Sequence, residues 1–313
     1  MTRFVLKRLI YALVALFVAS SATFFIIHSV PGNPIEAMTE KLPESLRRQT
    51  FERYGFDRPL LEQYGLFWKR LLTEGDLGES LRYRGRSVGD ILARYAPVSG
   101  VLGLTAILWG AGLGGTLGVV AALHRGRALD YAVMLLAILG VSVPNFVLAS
   151  LFQYFLAVRL GWFPVTGWGG FAHVVLPALA LSFYSTAQYA RFMRASCLDV
   201  LSQDYILAAR ARGMSRFHLV RRHVLRNAVL PIVTLLGPQI ALMFGGAFVV
   251  ERLFSVPGLG FYFVSSVGDR DYTLIMGQTV FLSALYILSI LAVDILYGFL
   301  DPRIRFARDG GAS

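Results

Sequence analysis

The residues that could carry covalent or metal chemistry are few in this chain, and their placement excludes most such functions. Of 313 residues only three are lysines, Lys7, Lys41 and Lys69; none follows Gly and none precedes Ser or Thr. A phosphate-cradling loop needs a Gly-Lys-Ser/Thr run, so this chain has no such loop. Histidines stand at 28, 124, 173, 218 and 223, and no two are spaced four apart to share a helix face. With Cys197 as the single cysteine, a disulfide framework, a Cys-based metal site and a His-pair zinc site all fall away. His28 and Asp294 belong near opposite ends of bilayer-length apolar segments, too far apart to act together. An intramembrane enzyme is therefore disfavoured.

What remains is a constellation of small residues and arginines between 202 and 231. Ser202 is expected to cap a short helix over 204–211, with Asp204 at the positive end of its dipole. Leu207, Ala208, Ala209 and Arg210 lie on that helix. Gly213 then supplies the left-handed residue that closes it, followed by Met214. Ser215 caps a second helix, whose expected apolar face is Phe217, Val220, Val224 and Leu225. Arg216, Arg221, Arg222 and Arg226 lie on its other faces, and Pro231 opens the next segment. A basic helix lying on anionic lipid would gain about 1 kcal/mol per basic residue. Such a helix needs no Ala-Ala-x3-Gly elbow, whereas small residues let a docking partner approach closely.

The elements that must position this elbow are membrane spans. Apolar residues make up 56% of the chain and charged ones 16%, against roughly 45–50% and about 25% in soluble domains. Mean hydropathy is +0.59. Six segments are long enough to cross a bilayer, near 9–29, 97–123, 131–157, 174–192, 229–250 and 273–299. The first resembles a signal peptide in its basic start, but its apolar run continues through Phe24 to Ile27, as in an anchor. Six spans put both termini on one side. The segments expected there hold 16 basic and 5 acidic residues, which equals the whole net charge of +11. The positive-inside rule makes that side cytoplasmic and removes the nucleic-acid reading of the charge.

Residues 31–96 form the largest extramembrane piece. There, Leu60, Leu61, Tyr64, Phe67, Trp68, Leu71 and Leu72 recur at helical spacing, predicting an amphipathic helix on the membrane surface or the bundle. Gly110, Gly114 and Gly118 put small residues on one helix face, suited to packing within the bundle or to a subunit interface. Asp294 is the one acid well inside a span and is expected to pair with Arg303 or Arg305. Gln239 and Met243, four residues apart, are candidates for a translocation path or for packing within the bundle. Glu251 and Asp271, with Arg252, Asp269 and Arg270, are candidates for an outer gate or for interfacial anchoring. A stand-alone ion-driven carrier would show internal repeats with broken helices, and none is visible.

Leu207-Ala208-Ala209-x3-Gly213 followed by Leu230-Pro231 resembles the coupling-helix signature of bacterial ABC importer permeases, Glu-Ala-Ala-x3-Gly with a later Leu-Pro. Two features depart from it: Leu207 replaces Glu, and sixteen residues separate Gly213 from Leu230, a longer spacing than the general form. That spacing is similar to the dipeptide, oligopeptide and nickel branch. So are Pro31-Gly32-Asn33-Pro34, Gly75-Asp76-Leu77-Gly78, Arg226-Asn227-Ala228, Phe254–Gly260 and Asp301–Arg305. The resemblance implies an all-α, six-span, type I importer permease in the inner membrane. It would have an N-terminal part over 1–94, a core over 95–301 and a tail over 302–313. It also implies a homologous second permease, two cytoplasmic ATPases that bind ATP and Mg, and an extracytoplasmic substrate-binding protein. Leu207, Ala208, Ala209, Arg210, Gly213, Met214, Ser215 and Phe217 would couple to an ATPase, and no cofactor or metal would bind this chain. The implied substrate is a short peptide. The short 157–173 loop, with Trp162, Pro164, Gly167 and Trp168, resembles nickel permeases and keeps nickel or a metal chelate as the alternative.

Overall fold

The computed structural model describes residues 2–31, 44–45, 52 and 55–300, with backbone alone for 2–8, 241–242, 244–246 and 294–300. Among these residues the chain is helical, the sole extended pairing being an isolated bridge between Glu79 and Ser87. In order the helices are α1 (Thr2–Ser29), α2 (Leu60–Glu74), α3 (Val88–Leu123), α4 (Ala128–Ser142), α5 (Asn145–Phe152), α6 (Phe171–Leu201), α7 (Asp204–Ala211), α8 (Arg216–Leu219), α9 (Leu225–Ala228), α10 (Leu230–Gly246), α11 (Phe248–Leu253), α12 (Gly260–Gly268) and α13 (Tyr272–Leu300). Contacts divide the chain into two compact units, residues 1–98 with 258–287 and residues 99–257 with 288–313.

Leu9–Ser29, Val88–Leu123 and Tyr272–Val293 are long and apolar enough to cross a bilayer. The apolar segment expected to cross near 131–157 forms two helices, Ala128–Ser142 and Asn145–Arg159, bent by 105°. The cause is local. Pro144 pushes the preceding Val143 out of the helical region, to φ −88° and ψ 123°. Beyond the bend, Gln153–Arg159 widens into a π-turn. At 31 residues α6 has the length to cross, about 46 Å, but Gln188, Arg191 and Arg194 interrupt its apolar run. In α10 the described apolar stretch, Leu230–Ile240, is short.

In the first unit, α2 is the amphipathic helix that the spacing predicts, and it packs on α1. The Tyr64 hydroxyl lies 2.6 Å from Ser21 Oγ, and the Trp68 and Phe17 ring centroids are 5.1 Å apart. Leu61 and Leu72 stay exposed. Asp271 caps α13 by accepting the Leu274 N–H at 3.0 Å. It also accepts the N–H groups of Leu81 at 3.1 Å and Arg82 at 3.2 Å, and the Ser80 hydroxyl.

α6 is the centre of the second unit, with a buried face running from Val174 to Cys197. The glycine stripe of α3 lies directly against it. A Cβ on Gly114 would stand 2.5 Å from the Thr186 carbonyl oxygen, and one on Gly118 2.6 Å from that of Ala190. Close packing within the chain therefore accounts for the stripe. α4 joins on the other side, where a Cβ on Gly140 would come within 2.8 Å of Ala187 Cβ.

Candidate functional site

The elbow forms as helix, glycine turn and helix, and its hydrogen bonds explain the spacing of its small residues. The N–H of Gly213 donates to the Arg210 carbonyl at 2.9 Å, and that of Met214 to the Ala209 carbonyl at 3.2 Å. This pair of bonds is a Schellman closure. It requires a left-handed residue four positions after Ala209, and Gly213 supplies it at φ +80°. Met214, next in sequence, packs with Ala209 in one apolar cluster. On the far side Ser215 caps α8, its hydroxyl accepting the His218 N–H at 3.4 Å.

Two sequence expectations change here. Ser202 is not the cap of α7: α6 runs on to Leu201, and Ser202 has helical backbone and donates to the Asp199 carbonyl at 2.8 Å. Gln203 takes the cap position without a side-chain bond. The second arm is also not one regular helix, because Val220–Val224 is a π-turn between α8 and α9. The wider turn shifts the buried side to Leu219, Val224 and Ala228, while Phe217 is 71% exposed.

Both arms share a core. Ile206 and Ala209 from α7 pack with Leu219, Val224 and Ala228 from the second arm, and with Tyr189, Met193 and Cys197 of α6. Burial pushes the Cys197 thiol up to about 11. Asn227 Nδ2 donates to the Tyr205 hydroxyl at 3.2 Å, tying the second arm to the first. Of the expected coupling residues, Ala209 is thus buried and Met214 partly so. Leu207, Ala208, Arg210, Gly213, Ser215 and Phe217 are exposed. Tyr205 and Leu207, 45% and 56% exposed, join Phe217 as apolar side chains facing outward. Exposed Arg210, Arg212, Arg221, Arg222 and Arg226 surround them in sequence.

An ion pair that sequence reasoning did not single out lies just upstream. Arg194 on α6 grips Asp130 with both sides of its guanidinium, Nε to Oδ1 at 2.5 Å and Nη2 to Oδ2 at 2.7 Å. The partners stand 64 positions apart, and no local pattern marks them. Beside the elbow, Ala122, Leu123, Leu201, Arg210, Met214, Arg216, Leu219 and Val220 line a cavity of about 420 Å³.

The remaining candidates are dispersed. Gln239 accepts the Tyr189 hydroxyl proton within the second unit. Met243 packs close to Gly103, where a Cβ would lie 3.0 Å from its own. Glu251 is 2% exposed and accepts the Ser99 hydroxyl at 2.6 Å. Asp271 is fully buried at the cap of α13. Asp294 lies on the α13 backbone, but its side chain falls outside the described residues, as do 32–34 and the 301–305 motif. Among the described residues no group of His, Cys, Asp and Glu could hold a metal ion.

Residues 114–306 match the family described as binding-protein-dependent transport system inner membrane component, and residues 1–99 match its N-terminal family. The chain is 42% identical to the dipeptide transport system permease protein DppB of Bacillus subtilis, over 99% of this chain and 100% of that one. It is 38% identical to the oligopeptide transport system permease protein OppB of Haemophilus influenzae, over 98% and 100%. Among solved structures, an inward facing conformation of the MetNI methionine ABC transporter superposes with a TM-score of 0.54. That match is 21% identical and covers 67% of this chain and 96% of that one, a likeness of fold. The chain belongs to the inner-membrane permease family of binding-protein-dependent transport systems.

Proposed function

We propose that this chain is one permease subunit of an ATP-driven importer of short peptides, and that the α7–Gly213–α8 elbow is its docking site for an ATPase. The observation that carries the docking reading is an apolar key, Tyr205, Leu207 and Phe217, left exposed on a rigidly packed elbow and flanked by arginines. Its groove on the partner would have an apolar floor and an acidic rim. Leu207 stands where the family signature has Glu, so an apolar contact replaces a charged one there.

The proposal keeps six crossings with both termini cytoplasmic, and the division into 1–94, 95–301 and 302–313. A second permease completes the pore, two ATPases hold ATP and Mg, and an extracytoplasmic binding protein delivers substrate. The permease performs no covalent chemistry. Gln239 and Met243 remain candidates for the path; Glu251 and Asp271 act as buried acids holding the outer segments, and Asp294 as a structural charge. Relatives named for dipeptides and oligopeptides favour peptides over nickel.

The test is association. Burying a side chain such as Phe217 is worth about 1.5–3 kcal/mol, so Phe217→Ala combined with Leu207→Ala should abolish co-purification of the ATPase from membranes. Full retention of the ATPase by that variant would refute the docking site. Uptake competed by di- and tripeptides, and not by Ni2+, would support the substrate class.

A further inference from the structure

Two arginines grip the turn between α3 and α4, Arg194 on α6 just upstream of the elbow and Arg216 on its second arm. From the upstream side, Arg194 holds Asp130 with a two-bond fork, at 2.5 and 2.7 Å. A fork of this kind fixes orientation as well as distance. Asp130 is 2% exposed and also accepts the Gly126 N–H at 3.0 Å, so the turn is stiffened at the same carboxylate. From the downstream side, Arg216 Nη2 donates to the Leu123 carbonyl at 2.5 Å. That carbonyl ends α3, where helix carbonyls lack partners within the helix and the dipole favours a cation.

The two grips differ in what surrounds them. α4 and α6 are already in close contact, so the Arg194–Asp130 pair locks elements that pack together. Between the end of α3 and the elbow lies the cavity of about 420 Å³ lined by Leu123, Met214 and Leu219. There Arg216 reaches α3 across incompletely filled space, and the bond to Leu123 is a direct polar link from the second arm.

We infer that Arg194 and Arg216 are positioning residues that carry displacement of the elbow to the adjoining ends of α4 and α3. The inference rests on the docking function proposed for the elbow. A partner pressing on the elbow moves α6 through the short Ser202–Gln203 link, and Arg194 passes that motion to Asp130. Arg216 passes the motion of the second arm to α3. Without the struts the elbow still docks, but its motion is absorbed locally.

The experiment measures substrate uptake per ATP hydrolysed by the assembled importer in proteoliposomes, for Arg216→Gln, Arg194→Gln and Asp130→Asn. The expected result is retained ATPase and continued hydrolysis with a several-fold fall in uptake per ATP. Arg216→Lys, which still donates to a carbonyl, should recover part of the ratio. A wild-type ratio in Arg216→Gln overturns the inference, and so does loss of the ATPase from that variant, which would make Arg216 a docking residue. If the Asp130 and Arg194 variants fail to accumulate in the membrane, exposed Arg216 decides alone. Failure of the docking reading shows separately, as ATPase retention by the Leu207 and Phe217 variant.

Discussion

Gly213 offers a test in which conformation and size predict opposite orders. Its φ is +80°, and a Cβ built there meets nothing within 4 Å. A substituted side chain therefore has room, and the cost is backbone strain alone. Ala in the left-handed region costs roughly 1–2 kcal/mol, Asn less because its side chain tolerates that region, and Val more because it is β-branched. At 25 °C a change of 1–2 kcal/mol corresponds to about 5–30-fold in an equilibrium. The observable is hydrogen exchange of the Gly213 and Met214 amides, whose acceptors are the carbonyls of Arg210 and Ala209. Measured on the permease alone, protection should fall in the order Gly, Asn, Ala, Val, with Ala reduced about 5–30-fold. Gly213→Arg should resemble Ala, because the space is open. If Asn, larger than Ala, loosens the turn more than Ala does, or if Val is harmless, the Schellman account is wrong.

Two further outcomes are expected. Buried Cys197, with its thiol pushed up to about 11, should resist maleimide at pH 8. Ionisation alone slows it by roughly 100-fold relative to an ordinary thiol, and its rate should climb about tenfold per pH unit up to that value. In the same protein Leu207→Cys should label rapidly and Ala209→Cys slowly; rapid labelling of native Cys197 would contradict the shared elbow core. Asp271→Ala removes the acceptor of three backbone N–H groups and the Ser80 hydroxyl. With each buried orphan costing about 1–3 kcal/mol, detergent-solubilised protein should lose several kcal/mol of stability and become protease-sensitive near residues 80–82. An unchanged melting temperature would show that the cap is dispensable.

Local features of the elbow were legible in the sequence. The spacing from Ala209 to Gly213 is the spacing of a Schellman closure, and Ser215 ahead of His218 is a cap pattern, because both depend on neighbouring residues only. The π-turn at Val220–Val224 has no local signal; it accompanies the packing of Leu219, Val224 and Ala228 in a core shared with α6. The bend before Pro144 had its signal in Val143-Pro144, but an apolar run reads the same whether straight or broken. Asp271 shows a cap pattern before an apolar helix, yet its donors at 80–82 come from a distant part of the chain. Arg194 and Asp130 fail in the same way: a pair 64 positions apart is fixed by tertiary structure, and charge counting assigned both to topology.

That assignment can now be divided by residue. Of the eight arginines between 191 and 228, half-buried Arg194 and exposed Arg216 bond to the α3–α4 turn, while Arg191, Arg210, Arg212, Arg221, Arg222 and Arg226 are exposed. A helix resting on lipid would need the same basic and apolar side chains, so composition does not separate the two roles. The shared core supports the docking role proposed for the elbow. A surface helix is held by the bilayer and requires no interior of its own, whereas α7 and the second arm bury Ile206, Ala209, Leu219 and Val224 against one another and α6. Only an element that is rigid before it meets a partner can pass a displacement onward. The closed turn at Gly213 and the struts inferred at Arg194 and Arg216 would supply that rigidity.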